Sequence, residues 1–238
     1  MGKAIAIFNQ KGGVGKTTTN INLAACLALK GRKILILDID PQGNTTSGVG
    51  ISKRDLRVST YELLMEDDMD PRKAVLPTGI KGLDIIPANV QLAGAEVELV
   101  QVEGRETRLK NALDKVKPDY DYIFIDCPPS LGLLTINSLT AVESVLIPIQ
   151  CEFYALEGVS QLMSTIEIVK SKLNKELEIE GVILSMFDGR TNLSAQVVEE
   201  VKKYFRDRVF TTVIPRNVKL AEAPSFGMPI AQYDPRST

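Results

Sequence analysis

The stretch Phe8-Asn9-Gln10-Lys11-Gly12-Gly13-Val14-Gly15-Lys16-Thr17-Thr18-Thr19 lies near the front of a 238-residue chain and decides how the rest is read. An apolar run, Ala4 to Phe8, precedes it and reads as a buried strand. Behind it Ile21, Leu23, Ala24, Ala25, Leu27 and Ala28 carry helical spacing. Strand, glycine-rich turn and helix start, in that order, make a phosphate-binding device. The glycines let backbone N–H groups face one concavity, and the helix start adds unsatisfied donors and a positive dipole end. Gly12, Gly13, Val14, Gly15 and Thr18 would build the cradle. Lys16 would meet the outer phosphates, and the Thr17 hydroxyl would ligate the magnesium ion bound to them. One position departs from the usual pattern: the glycine expected five residues before Gly15 is Gln10, and a second lysine, Lys11, follows it.

Composition bounds the class. Hydrophobic content of 44% with 24% charged residues suits a globular chain with a substantial core. The three cysteines, Cys26, Cys127 and Cys151, are scattered and odd in number, which points to a reduced, cytoplasmic setting. Histidine is absent and no C-x-x-C pair occurs, so the usual zinc sites and any histidine general base are excluded. No signal peptide or membrane-length apolar run is visible. A net charge of −2 argues against a constitutively strong nucleic-acid binder and leaves room for a local basic face.

Further along, Lys33 to Ile39 is a second buried strand that ends in Asp38 and Asp40 before the loop Pro41-Gln42-Gly43-Asn44. Ligands bind at the carboxyl edge of parallel sheets, which would put these carboxylates near the phosphate loop. A short helix is expected over Ser59 to Met65, then an acidic loop through Asp67, Asp68 and Asp70. Leu83 to Pro87 reads as a third strand, with helices over Asn89 to Leu99, capped by Asn89, and over Arg105 to Val116. Tyr122 to Asp126 is a buried strand ending in a carboxylate, the shape of the second magnesium-organising element of phosphate-loop proteins. Strands over Ser144 to Ile149, Glu180 to Met186 and Val209 to Ile214 alternate with helices over Leu156 to Leu173 and Leu193 to Phe205. Residues Tyr233 to Thr238 have loop-like composition. Continuous apolar strands alternating with helices predict an α/β fold: one domain over residues 1–238, resembling phosphate-loop NTPases, with a mostly parallel twisted sheet and helices on both faces.

Four blocks carry a resemblance: KGGVGKTTT from Lys11, DIDPQGNTTSG from Asp38, IFIDCPPSLG from Ile123 and PRNVKLAEAPSFGMPI from Pro215. Together they resemble the ParA/Soj chromosome- and plasmid-partitioning ATPases, within the deviant Walker A group that also holds MinD. The resemblance implies an ATP-dependent switch using ATP and magnesium, with slow hydrolysis stimulated by a partner. It implies that Lys11 reaches across a nucleotide-sandwich homodimer to the other copy's phosphates, as an arginine finger does. Gly12 lies where the two loops would meet. Lys16 would hold the β- and γ-phosphates, Thr17 the ion, and Asp126 the same ion through water. Asp40 is implied as the residue that positions the attacking water, and Asp38 as an outer-shell or loop-building carboxylate. The base pocket is implied at Met186 and the turn Pro215-Arg216-Asn217.

The resemblance also implies non-specific DNA binding, mapped onto Arg190 and Lys219 with Arg216 and Lys203 as lesser candidates. A ParB/Spo0J-like centromere-binding partner is expected, with a nucleoid location and no membrane contact. Relatives often carry arginine where Lys219 stands, and lysine keeps a phosphate contact without the bidentate fork. The family's final helix is expected to be missing from this chain. The alternatives are a MinD-like membrane-surface positioning ATPase, which requires a basic amphipathic C-terminal helix, and a small-molecule ligase of the dethiobiotin-synthetase kind.

Overall fold

The computed structural model describes residues 2–153, 155 and 158–237. Its centre is strand β1, Lys3–Ile7, in which the side chains divide between two cores. Ala4, Ala6 and Phe8 face one core, while Ile5 and Ile7 face the other. Strand β2, Ile34–Asp38, splits in the same way, with Leu35 and Leu37 on the first side and Ile34 and Ile36 on the second. The period-2 alternation puts successive side chains on opposite faces, and both faces are covered, so every position must be apolar.

The remaining strands are β3 (Leu76–Pro77), β4 (Leu83–Ile86), β5 (Tyr122–Asp126), β6 (Ser144–Gln150), β7 (Glu178–Phe187) and β8 (Val209–Pro215). They form one sheet in the order β3-β4-β2-β5-β1-β6-β7-β8. All neighbours are parallel except β3 with β4. Helix α1, Lys16–Leu29, returns from β1 and buries Ile21, Ala24, Ala25 and Ala28 in the second core. After it come α2 (Asn44–Gly48), α3 (Thr60–Met65), α4 (Leu92–Glu98), α5 (Arg108–Val116), α6 (Leu133–Ala141), α7 (Val159–Lys172), α8 (Asn192–Phe205), α9 (Val218–Glu222) and α10 (Ile230–Tyr233).

The seven expected strands are present, and β3 is an additional two-residue edge. Ser59 caps α3 with a reciprocal bond to Glu62, as its sequence position suggests. Asn89 does not cap α4; its Oδ1 accepts from the Gln91 N–H and makes a turn before the helix. Arg105–Thr107 is a 3₁₀ turn, so α5 starts at Arg108. The expected start of the long helix, Leu156, lies outside the described residues, and α7 begins at Val159.

Helix α6 has no sequence-level forecast because it is buried nearly all round and lacks an amphipathic period. A buried amide fixes it in place. Asn137 donates to the carbonyls of Arg105 (2.7 Å) and Leu133 (2.9 Å), and its Oδ1 accepts from the Leu109 N–H (3.1 Å). Replacing Asn137 by Leu strands the Leu109 N–H and the Arg105 carbonyl, at about 1–3 kcal/mol each. Urea unfolding should show Asn137→Leu destabilised by about 3 kcal/mol, with an unchanged slope.

Candidate active site

The phosphate loop leaves the carboxyl end of β1, the central strand. From there the chain builds β2 and β4 on one side and β6, β7 and β8 on the other. That reversal opens the crevice where α/β sheets hold ligands. Asn9 anchors the loop: its Nδ2 donates to the Pro148 carbonyl at 2.8 Å, and its Oδ1 accepts from the Lys11 N–H at 3.0 Å. Gln10, in the place of the usual glycine, donates to Thr165 Oγ1 on α7 at 3.0 Å. Gly13 (φ 75°) and Gly15 (φ 90°) take left-handed backbone that a side chain would strain. Gly12 has ordinary φ, and a Cβ built on it would meet nothing of its own chain within 4 Å.

Lys16 opens α1 and is buried, and its Nζ donates to the Lys11 carbonyl at 3.1 Å. Burial lowers its pKa, and the carboxylates of Asp126 and Asp40 oppose that shift. A cleft of about 380 Å³ at this point is lined by Gly12, Gly13, Gly15, Lys16, Thr17 and Thr18 with Asp40 opposite. Gln42, Asn44 and Pro129 complete the far wall, and sequence reading missed them. The Lys11 side chain does not line it.

Asp38 and Asp126 are paired in register across β2 and β5. Asp38 is buried and built into the loop: Oδ1 accepts from the Asp40 N–H (3.2 Å), and Oδ2 accepts from the Thr46 N–H (2.8 Å) and hydroxyl (2.7 Å). These bonds tie Asp38 to the loop that follows it. Asp40 is half-buried and lines the cleft, while its Oδ1 accepts from the Gln42 N–H at 2.9 Å. Asp126 Oδ2 accepts from Thr17 Oγ1 at 2.7 Å, which leaves that oxygen's lone pairs free for an ion. Asp126 Oδ1 is buried and has no hydrogen-bond partner among the described residues. A hydroxyl and an orphaned carboxylate oxygen, joined by the phosphate oxygens a bound nucleotide would bring, would suit magnesium, which keeps several waters and takes few protein ligands.

A second cleft of about 300 Å³ joins the first through Gly15, Thr18 and Met186. Met186, Pro215, Arg216 and Asn217 line it, along with Ser185, Ile214 and Leu220, which sequence reading did not single out. Met186 holds φ 52°, an unfavourable conformation for a side-chain-bearing residue, at the junction of the two clefts. Ser185 ties β7 to the phosphate loop by donating to the Val14 carbonyl at 2.8 Å.

The expected DNA-contacting cations all have carboxylate partners of their own chain. Arg190 forks onto Asp188 at 2.8 and 2.6 Å and holds that carboxyl well below the usual range. Arg216 pairs with Glu152 (2.6 Å), Lys219 with Glu222 (2.8 Å) and Lys203 with Glu200 (2.6 Å).

Comparison with known proteins agrees with this geometry. Residues 2–179 match the family described as AAA domain. The whole chain is 64% identical over 237 residues to sporulation initiation inhibitor protein Soj of Bacillus subtilis, covering 93% of that protein. It is 51% identical over 234 residues to chromosome-partitioning ATPase Soj of Treponema pallidum, covering 98% of this chain and 91% of that one. The chain belongs to the Soj/ParA family of partitioning ATPases. A solved neighbour, cobyrinic acid a,c-diamide synthase from Mycobacterium smegmatis with bound ADP and magnesium, superposes with TM-score 0.86. That neighbour is 39% identical and covers 99% of this chain and 97% of its own. This chain is thus an ATPase of the Soj/ParA family, and the same synthase has also been solved with an ATP analogue and magnesium. Among the described residues no helix is long and apolar enough to cross a membrane.

Burial raises both acids of the Asp38–Asp126 pair, Asp38 to about 7 with the charge of Asp126 adding to the rise, and Asp126 to about 6. A carboxyl raised on folding stabilises the fold fully below its unfolded value. That contribution disappears as pH rises through the folded value. Without magnesium the protein should therefore lose stability between about pH 4 and pH 7. Asp38→Asn should flatten that loss in thermal melts across the same range. An unchanged slope would show that Asp38 is already ionised in the fold.

Proposed function

We propose that this family member is a dimerising switch for DNA segregation. ATP would bring two copies face to face, with the nucleotides between them. Lys16 would serve its own nucleotide and Lys11 the partner's. The observation that carries this reading is the division of labour between the two lysines. Lys16 is buried in the phosphate cleft, while Lys11 lies outside its lining and is followed by Gly12, which has open space around it. A cation delivered in trans would neutralise charge on the transferring phosphoryl group and so couple hydrolysis to association. Asp40, on the opposite wall, would position the attacking water. Magnesium held at Thr17 and Asp126 supplies electrophilic stabilisation of the phosphate oxygens when bound.

The dimer would bind DNA non-specifically through Arg190 and Lys219, with Arg216 and Lys203 contributing, and would be found on the nucleoid. Each copy offers few cations, and those are paired internally. Doubling them in one body raises the number of phosphates neutralised, and with it affinity and salt dependence. A ParB/Spo0J-like partner would stimulate hydrolysis and release the dimer. Identities of 55% and 51% to chromosome-partitioning proteins, against 39% to the synthase, favour this reading over ligase chemistry.

Two variants test the switch. A Cβ at Gly12 meets no atom of its own chain within 4 Å, so Gly12→Val should fold yet lose ATP-dependent DNA retention by at least tenfold. Retention equal to wild type would contradict the dimer. Asp40→Ala should stay dimeric on DNA with ATP, at a turnover reduced about a hundredfold. Rapid turnover in that variant would remove Asp40 from the mechanism.

A further inference from the structure

Helix α2 is five residues long, too short to hold itself in place, and two successive threonines fasten it. Thr46 binds Asp38 through its N–H and hydroxyl, and its Oγ1 accepts from the Ala88 N–H at 2.9 Å. Thr45 is fully buried and points the other way. Its hydroxyl donates at 2.7 Å to Asp126 Oδ2, the same oxygen that accepts the Thr17 hydroxyl. Asn20, buried on α1, donates through Nδ2 to Thr45 Oγ1 at 3.3 Å. Three elements, α1, α2 and β5, therefore meet at one carboxylate.

The remaining acceptors of this junction, Asp126 Oδ1 and Asn20 Oδ1, are buried without a hydrogen-bond partner among the described residues. Unmatched buried acceptors are costly, and waters carried by a magnesium ion at Thr17 would supply hydrogens to Asp126. Two hydroxyls on Oδ2 fix the carboxylate plane and so aim Oδ1. With one of them removed, the carboxylate can turn. The Asp40–Gly43 turn runs directly into α2, with the Gly43 N–H donating to the Asp40 carbonyl at 2.8 Å, so a shift of α2 would move Asp40.

We propose that Thr45 is a positioning residue of the ATP site: by holding Asp126 together with Thr17, it links the pose of α2 and the Asp40 loop to binding of the ion. The inference rests on reading Thr17 and Asp126 as the ion's protein contacts. Groups that orient metal-contacting side chains typically contribute about 10- to 100-fold in metal affinity.

The test titrates magnesium into each protein with a fluorescent, non-hydrolysable ATP analogue. For Thr45→Val the magnesium concentration at half-effect should rise about tenfold, with analogue binding in chelator unchanged, and Thr45→Ser should restore it to within about threefold of wild type. Thr17→Ala serves as control and should lose the magnesium effect. If Thr17→Ala kept it, the ion-site reading itself would fall. If Thr17→Ala lost it while Thr45→Val matched wild type, or if Ser and Val were equally impaired, only the role of Thr45 would fall. Hydrogen exchange on the unaltered protein needs no variant to fold. Adding magnesium to the analogue complex should slow the amides of residues 44–48 several-fold, and unchanged exchange there would overturn the proposal.

Discussion

Two threonine hydroxyls, from Thr17 and Thr45, donate to one carboxylate oxygen of Asp126, and the geometry of the whole site depends on that junction. Asp126 ends a strand whose side chains are shared between two hydrophobic cores, so it cannot drift. Thr17 belongs to the helix that the phosphate loop starts, and Thr45 to the short helix after the Asp40 turn. Apolar packing places the strand and the first helix, whereas α2 carries no apolar side chain and is fastened by its threonines. The shared hydrogen bonds then set their relative pose.

Such a junction has an electrostatic cost. Asp38 and Asp126 lie buried on neighbouring strands with Lys16 close by, and burial displaces the ordinary ionisation of all three. A fold that buries two carboxylates in register at the carboxyl edge of its sheet sacrifices stability there. Perturbed groups concentrated in one crevice are the usual mark of a working site. Here they coincide with the strand-order reversal and with the strained backbone of Met186.

Much of this was legible in the residues. The apolar runs that became β1, β2, β4, β5, β6, β7 and β8 could be read because a doubly covered parallel sheet demands continuous hydrophobicity. The phosphate loop could be read because only glycine tolerates the backbone at Gly13 and Gly15. Helix α6 could not, since a helix buried on all sides has no period to detect. Nor could Gln42, Asn44, Pro129 and Ser185, which meet the clefts through tertiary packing and carry no local signal. The expectation of a base pocket at Met186 and Pro215 to Asn217 came from family resemblance, and those residues line one cleft. The Lys203–Glu200 and Lys219–Glu222 pairs follow from i,i+3 spacing and Arg190–Asp188 from near neighbours in the chain, whereas the Arg216–Glu152 pair spans distant elements and carries no local signal.

The central claim is that Lys11 acts on the other copy's nucleotide. It is tested most directly by mixing two inactive proteins, Lys11→Ala and Asp40→Ala, before ATP is added. In a mixed dimer the Lys11→Ala copy keeps its own Asp40 and receives a lysine from its partner, so one of the two sites is whole. Random pairing makes half the dimers mixed, and ATP turnover should recover to about a quarter of wild type. Turnover no greater than the sum of the separate variants would show that Lys11 serves its own site.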